Sequence, residues 1–188
     1  MKACSAGPGR GGRVFRNDDD NGFARGERWG AVLAFVGFVG FALLVGATAG
    51  AATAQGVRVW YPSLTAPPGT PPNAAFPIAW TTLYVLMGVA AWRIWQVAPR
   101  PGAYPALRLW GWQLLANALW SPVFFGLHAI GAALLICLSL LGLVSATVVV
   151  FARRDRLAGL LLLPYPLWVA YATWLNAGFW WLNGRPFP

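Results

Sequence analysis

Twelve tryptophans in 188 residues make flat π surface the main chemical resource of this chain. Trp80, Trp120, Trp168 and Trp174 fall inside long apolar runs, where indole faces can stack on a flat hydrophobic ligand and bury its area. Asn117 and Asn176 lie in runs of the same kind. An uncharged amide is tolerated in hydrocarbon only with a partner, so each either bonds a neighbouring helix and glues the bundle or orients a bound molecule. Ionic catalysis has little to work with. The apolar runs hold no Asp, Glu or Lys, and Arg93 and Arg108 sit near run ends, where they can snorkel to the interface. A carboxylate-based hydrolase and a proton-coupled pump are thereby excluded. His128 is the sole histidine and reads as a turn residue, the alternative being an axial haem ligand. With no second imidazole and only the distant Cys137 as a soft ligand, no metal site is expected. Cys4 and Cys137 imply no disulfide framework, and neither a phosphate-binding glycine loop nor a nucleophile–base pair is present.

The elements that must position these rings are membrane helices. A chain 58% hydrophobic and only 10% charged, with mean hydropathy +0.56, lies far from the roughly 25% charge of soluble domains. A bilayer core takes about 20 helical residues. The uncharged stretches, divided at the proline-rich segment and at Ser121-Pro122 and Gly126-Leu127-His128, predict helices over 29–54, 76–97, 103–127, 129–151 and 157–182. The runs are too long for core strands and lack barrel alternation, so the expected fold is all-α, an integral membrane bundle of five transmembrane helices. Trp29, Trp60, Trp95, Trp110, Trp180 and Trp181 fall at expected helix ends and suit an interfacial belt.

Twelve of the fourteen Lys and Arg residues fall on the side shared by the N-terminus and the second and fourth loops, leaving Arg58 and Arg185 opposite. That asymmetry predicts a cytoplasmic N-terminus and an outward C-terminus in a bacterial cell membrane. It also accounts for the net charge of +9 through topology and anionic lipid, so the expected partners are membrane lipids and not nucleic acid. Residues 1–28, rich in Gly, Arg, Asp and Asn, read as a disordered basic tail; residues 184–188 form a short C-terminal tail. The apolar run after the first tail is too long for a signal-peptide core and reads as a retained helix. Gly46 and Gly50 have the spacing of a close-packing motif, within the chain or between two copies. No internal repeat is visible.

The segment from Trp60 to Trp80, WYPSLTAPPGTPPNAAFPIAW, places Pro67, Pro68, Gly69, Pro71 and Pro72 where a helix cannot continue, and it reads as a lid between two spans. With Trp60-Tyr61, Thr70-Pro71-Pro72-Asn73, Trp80-Thr81 and Leu83-Tyr84, it resembles the TspO/MBR family of tryptophan-rich sensory proteins, relatives of the mitochondrial translocator protein. The resemblance continues through Asn117-Ala118-Leu119-Trp120-Ser121-Pro122, through Pro164-Tyr165 and Trp168, and through Leu175-Asn176 to Asn183. It covers about Trp29 to Asn183.

What the resemblance implies is a five-helix membrane protein, commonly a homodimer, that binds a porphyrin-type small molecule beneath the loop joining helices one and two. The tetrapyrrole, protoporphyrin IX or haem, is a ligand and not a required cofactor. Carried over by motif position, the ligand-binding residues are Trp60, Tyr61, Pro71, Trp80, Asn117, Cys137, Trp168 and Ala172. Trp80 and Trp168 match the tryptophans tied in bacterial members to light-dependent porphyrin breakdown, which would make them the catalytic pair if such degradation is enzymatic. Regulation of porphyrin or stress metabolism is the expected role, with porphyrin degradation and porphyrin or lipid transport as the alternatives. Gly69 and Ala74 stand where relatives carry lid tryptophans, and the stretch from Leu175 to Trp181 lacks the Tyr and basic residue of the family's cholesterol motif.

Overall fold

Hydrocarbon offers no partner to a free N–H or C=O, so each long apolar run must satisfy its backbone internally, as a helix does. A computed structural model describes residues 18–97 and 100–184, with side-chain surroundings for 28–97 and 104–184. In chain order it contains α1 (Asp18–Val59), a 3-10 turn (Tyr61–Ser63), α2 (Ala75–Val97), α3 (Arg100–Ser121), a π-helical turn (Pro122–Gly126), α4 (Ile130–Arg154), α5 (Arg156–Leu162) and α6 (Pro164–Leu182). No strand occurs among the described residues.

The segments Arg28–Ser63, Ala75–Val97, Ile130–Ala152 and Arg156–Leu182 are long and apolar enough to cross a membrane. α3 is less apolar because it carries Arg108, Gln113 and Asn117, but its 22 residues reach about 33 Å and complete the five-helix bundle. α1 packs along α2, α2 on α5, α4 on both α5 and α6, α3 on α4, and α3 returns to α1. Buried Leu83, Met87, Ala91 and Ile94 of α2 meet Leu140, Val144 and Phe151 of α4 and Leu162, Tyr165 and Val169 of the last crossing. α1 sits close on α2 because a Cβ on Gly88 would overlap the Val39 backbone.

Several boundaries depart from the expected ones. α1 begins at Asp18, inside the stretch read as a tail, and runs on to Val59; the remainder of that tail, 1–17, and residues 185–188 of the C-terminal tail lie outside the described residues. The third helix stops at Ser121, where Pro122 initiates a π turn instead of a continuous helix to 127. The break is completed by His128, whose φ of 56° puts a non-glycine residue in the left-handed region, while Gly126 beside it closes the π turn. The last crossing is interrupted at Leu163, because Pro164 has no N–H to continue the ladder. Trp110, expected in an interfacial belt, is buried against Phe38 and Phe41 of α1.

Two polar fastenings hold the ends of the bundle. Arg93 Nε donates to Asp155 Oδ2 at 2.6 Å, and Asp155 Oδ1 accepts the Leu157 N–H at 3.0 Å as the N-cap of α5. The hydrogen bond from Arg93 holds the Asp155 carboxyl below the usual carboxylate range. At the other end the loop is tied to α6. Thr65 N–H donates to Asn183 Oδ1 at 2.8 Å, Asn183 Nδ2 donates back to Thr65 O at 3.1 Å, and Tyr171 Oη donates to Gly69 O at 2.7 Å. Pro67 is buried against Gly178, where a Cβ would collide with its ring. Gly69, at φ 82°, makes a left-handed bend that a side chain would strain, and the loop turns there over Trp174.

Candidate functional site

The loop end of the bundle holds a half-open cavity of about 720 Å³. It forms because α2 packs its far half on α5 while its loop-proximal half is bridged to α6 by rings and not by backbone. α1 contributes a wall of small residues, Gly46, Ala47, Ala49, Gly50, Thr53 and Ala54. Gly46 lets that wall approach α2, since a Cβ there would overlap the Tyr84 ring, whereas a Cβ on Gly50 would meet nothing within 4 Å. The spacing of the two glycines thus serves packing within the chain at one position and open space at the next.

Aromatic rings make the remaining walls. Trp120 stacks on Phe124 with centroids 5.3 Å apart, Phe124 meets Phe125 edge-on at 4.8 Å, and Tyr61 lies 5.3 Å from Phe179. The π turn is what brings Phe124 and Phe125 to the same side as Trp120. Opposite, Trp80 lies 5.8 Å from Tyr84 and meets the Trp168 ring at 6.3 Å and 86°. Such edge-to-face contacts fix ring planes and leave the exposed faces to a ligand.

Polar groups are few and mostly engaged. Tyr84 Oη donates to Asn117 Oδ1 at 2.5 Å, and Asn117 Nδ2 donates to Tyr165 Oη at 2.9 Å. α2, α3 and α6 are joined at the cavity floor by that chain. Asn176 Oδ1 accepts from Trp120 Nε1 at 3.0 Å and its Nδ2 donates to Ile130 O at 2.9 Å, which orients the Trp120 plane. Both amides therefore hold helices together. Asn117 also lines the cavity, and with one amide hydrogen and one lone pair beyond these bonds it retains capacity for a ligand. Thr53 Oγ1 and Ser121 Oγ, 3.0 Å apart, link α1 to α3 on the same wall.

Of the eight ligand-binding residues expected from motif position, Tyr61, Trp80, Asn117, Cys137 and Ala172 line the cavity. Trp60, Pro71 and Trp168 do not. Trp60 stacks on His128 at 4.2 Å and 19°, outside the cavity, and so occupies the one imidazole of the chain. Trp168 packs edge-on against both Trp80 and Phe76, with a buried Nε1 that has no hydrogen-bond partner among the described residues. Trp174, expected to be deep, is 52% exposed and stacks on Tyr171 beneath the loop. Trp120, expected as a stacking face for a flat ligand, and Asn176, expected as helix glue or a ligand-orienting amide, both line the cavity, whereas Tyr84, Phe124, Phe125, Phe179 and Arg58 line it without having been expected there. For Asn176 and Trp120 the signal was present, since two buried polar side chains on facing helices need each other. For Phe124 and Phe125 it was not, because a π turn rotates them by an amount that no periodicity encodes.

The TspO/MBR family model matches residues 38–182. The chain is 43% identical over 125 residues to the protein CrtK of Rhodobacter capsulatus, covering 66% of this chain and 78% of that one. It is 42% identical over 117 residues to the tryptophan-rich sensory protein of Cereibacter sphaeroides, covering 62% and 72%. To the human translocator protein it is 36% identical over 141 residues, covering 71% and 83%. The chain belongs to the TspO/MBR family, and it is a multi-pass membrane protein related to membrane sensors and translocators.

Proposed function

We propose that this TspO/MBR protein is a membrane receptor for a tetrapyrrole, protoporphyrin IX or haem, held in the cavity beneath the loop and linked through its occupancy to porphyrin or stress metabolism. The observation that carries the reading is the cavity itself. Its volume of about 720 Å³ lies within the range of small-molecule sites, about 300–1,000 Å³, and its walls are rings with a few oriented amides and hydroxyls. A flat conjugated macrocycle can stack on Trp80, Trp120 and Phe124 and bury its apolar area against the α1 small-residue wall. No histidine lines the cavity, and His128 is stacked on Trp60, so a haem would be held by its ring faces and edges without an imidazole from this chain.

The contact of Trp80 with Trp168 supports a second reading, in which dioxygen is the oxidant: a light-excited porphyrin beside Trp80 is oxidised by dioxygen, which is reduced, and Trp168 acts through Trp80. On that reading products form over several turnovers in light and formation collapses in Trp80→Phe. Further parts of the proposal are a cytoplasmic N-terminus, with the cavity facing outward, and a homodimer in the membrane.

The deciding experiment is a titration of purified protein in lipid nanodiscs with protoporphyrin IX, followed by tryptophan emission. Saturable quenching at micromolar or tighter affinity, weakened in Trp80→Ala, is expected. Well-folded protein with no saturable quenching refutes the receptor reading.

A further inference from the structure

Arg58 is the one ionised side chain among the residues that line the cavity. It sits in the last turn of α1, and its Nε donates to Ala54 O one turn back at 3.3 Å, while the two amino ends of the guanidinium make no hydrogen bond among the described residues. No carboxylate lies near it in the chain. The acidic residues are Asp18, Asp19, Asp20, Glu27 and Asp155, so none lies between Arg28 and Arg154. Asp155 is engaged by Arg93 at the junction of α4 and α5, and the others precede the first span, more than thirty residues before Arg58 in α1. Among the described residues the cavity thus carries a planar cation without an ion-pair partner, together with the neutral Asn73 and Thr81, and rings and amides elsewhere.

From this arrangement we infer that Arg58 is a specificity-determining residue that holds the carboxylate of an amphipathic flat acid whose apolar body fills the aromatic cavity. A guanidinium fork matches a carboxylate in two parallel charge-assisted bonds, and next to low-dielectric walls that match discriminates acid from ester. The inference builds on the receptor reading by naming the class of ligand, since a tetrapyrrole with propionate side chains on one edge is such an acid. It does not depend on the macrocycle. An exposed cation at a membrane surface can also hold a lipid phosphate, and the two occupants differ in one consequence: only the ligand-anchoring role makes cavity affinity depend on the ligand's own charge.

The test uses the full chain in nanodiscs of zwitterionic lipid at about pH 7, where carboxylic acids are ionised. Wild type and Arg58→Gln are titrated with protoporphyrin IX and its dimethyl ester, and separately with pyrenebutyric acid and its methyl ester. Wild type should bind each acid about tenfold more tightly than its ester, and Arg58→Gln should weaken the acids about tenfold while changing the esters less than twofold. The esters double as the check that the variant is folded. Equal binding of acid and ester by wild type, as when a lipid phosphate occupies Arg58, overturns the inference. So does an equal loss of acid and ester in Arg58→Gln, or an acid preference that survives it. If neither porphyrin binds but the pyrene pair shows the Arg58-dependent preference, the anchor stands and the tetrapyrrole reading falls.

Discussion

Replacing Asn117 by Leu tests whether the floor of the cavity is held by the amide bridge. The side chain is 5% exposed, accepts from Tyr84 at 2.5 Å and donates to Tyr165 at 2.9 Å. Leu has the same number and branching of side-chain heavy atoms as Asn, so the main cost is polar. Two hydrogen bonds are lost, each worth about 1 kcal/mol in soluble proteins and about 0.6 on average between membrane helices. The Tyr84 hydroxyl, in a residue 7% exposed, is then left without an acceptor, which adds about 1 kcal/mol or more. Asn117→Leu should therefore destabilise by about 2–3 kcal/mol. Tyr84→Phe removes one bond and should cost about 1 kcal/mol. When Tyr84→Phe is already in place, the Asn117 substitution should cost about 1 kcal/mol less than alone, because one of its bonds is already gone. Equilibrium unfolding in mixed micelles with a denaturing detergent, read by tryptophan fluorescence, supplies all four corners of the cycle. An Asn117→Leu protein within about 0.5 kcal/mol of wild type, or strict additivity with Tyr84→Phe, would refute the bridge as a stabilising element.

Gly50→Leu should place its side chain in open cavity, keep the melting temperature within a few degrees, and cut protoporphyrin affinity at least about tenfold; Gly46→Leu should fail to fold, because it meets the Tyr84 ring. Thermal unfolding beside the quenching titration separates the two. Asp155 titrates below its unfolded range, so the stability it contributes is present above about pH 4 and is lost as pH falls through the depressed value. Asp155→Asn should accordingly lower the melting temperature by a few degrees at neutral pH, with the gap to wild type closing below about pH 4, as a series of melts would show. Asn183→Ala removes both bonds to Thr65, and hydrogen exchange of the Thr65 amide should quicken about tenfold or more with the core amides unchanged.

Hydropathy and charge were enough to read the class of fold, because a bilayer forces long uncharged runs to be helices whatever their partners. They were less able to locate ends. Ser121-Pro122 marks a point where the third helix can end or kink within the expected 103–127, yet whether the chain there makes a π turn or a bend depends on how Phe124 and Phe125 pack against Trp120 and Phe179. Leu163-Pro164 passed unnoticed as a break because the residues around it are uniformly apolar, and hydropathy is blind to a missing N–H. The motif positions put Tyr61, Trp80, Asn117, Cys137 and Ala172 on the cavity wall but gave no sign that Trp60 would turn to His128.

From the sequence alone followed the membrane bundle, the aromatic resource, the lid between the first two spans and the kinship with tryptophan-rich sensory proteins, since each depends on residue type and order along one chain. The tertiary structure decided which rings face inward, which amides are already spent on neighbouring helices, and that Arg58, with no ion-pair partner among the described residues, stands on the wall of an apolar cavity. Those are relations between helices far apart in sequence. They follow from how small residues at Gly46 and Gly88 let backbones approach and how bulky rings hold α2 and α6 apart, and no period of 3.6 residues carries that information.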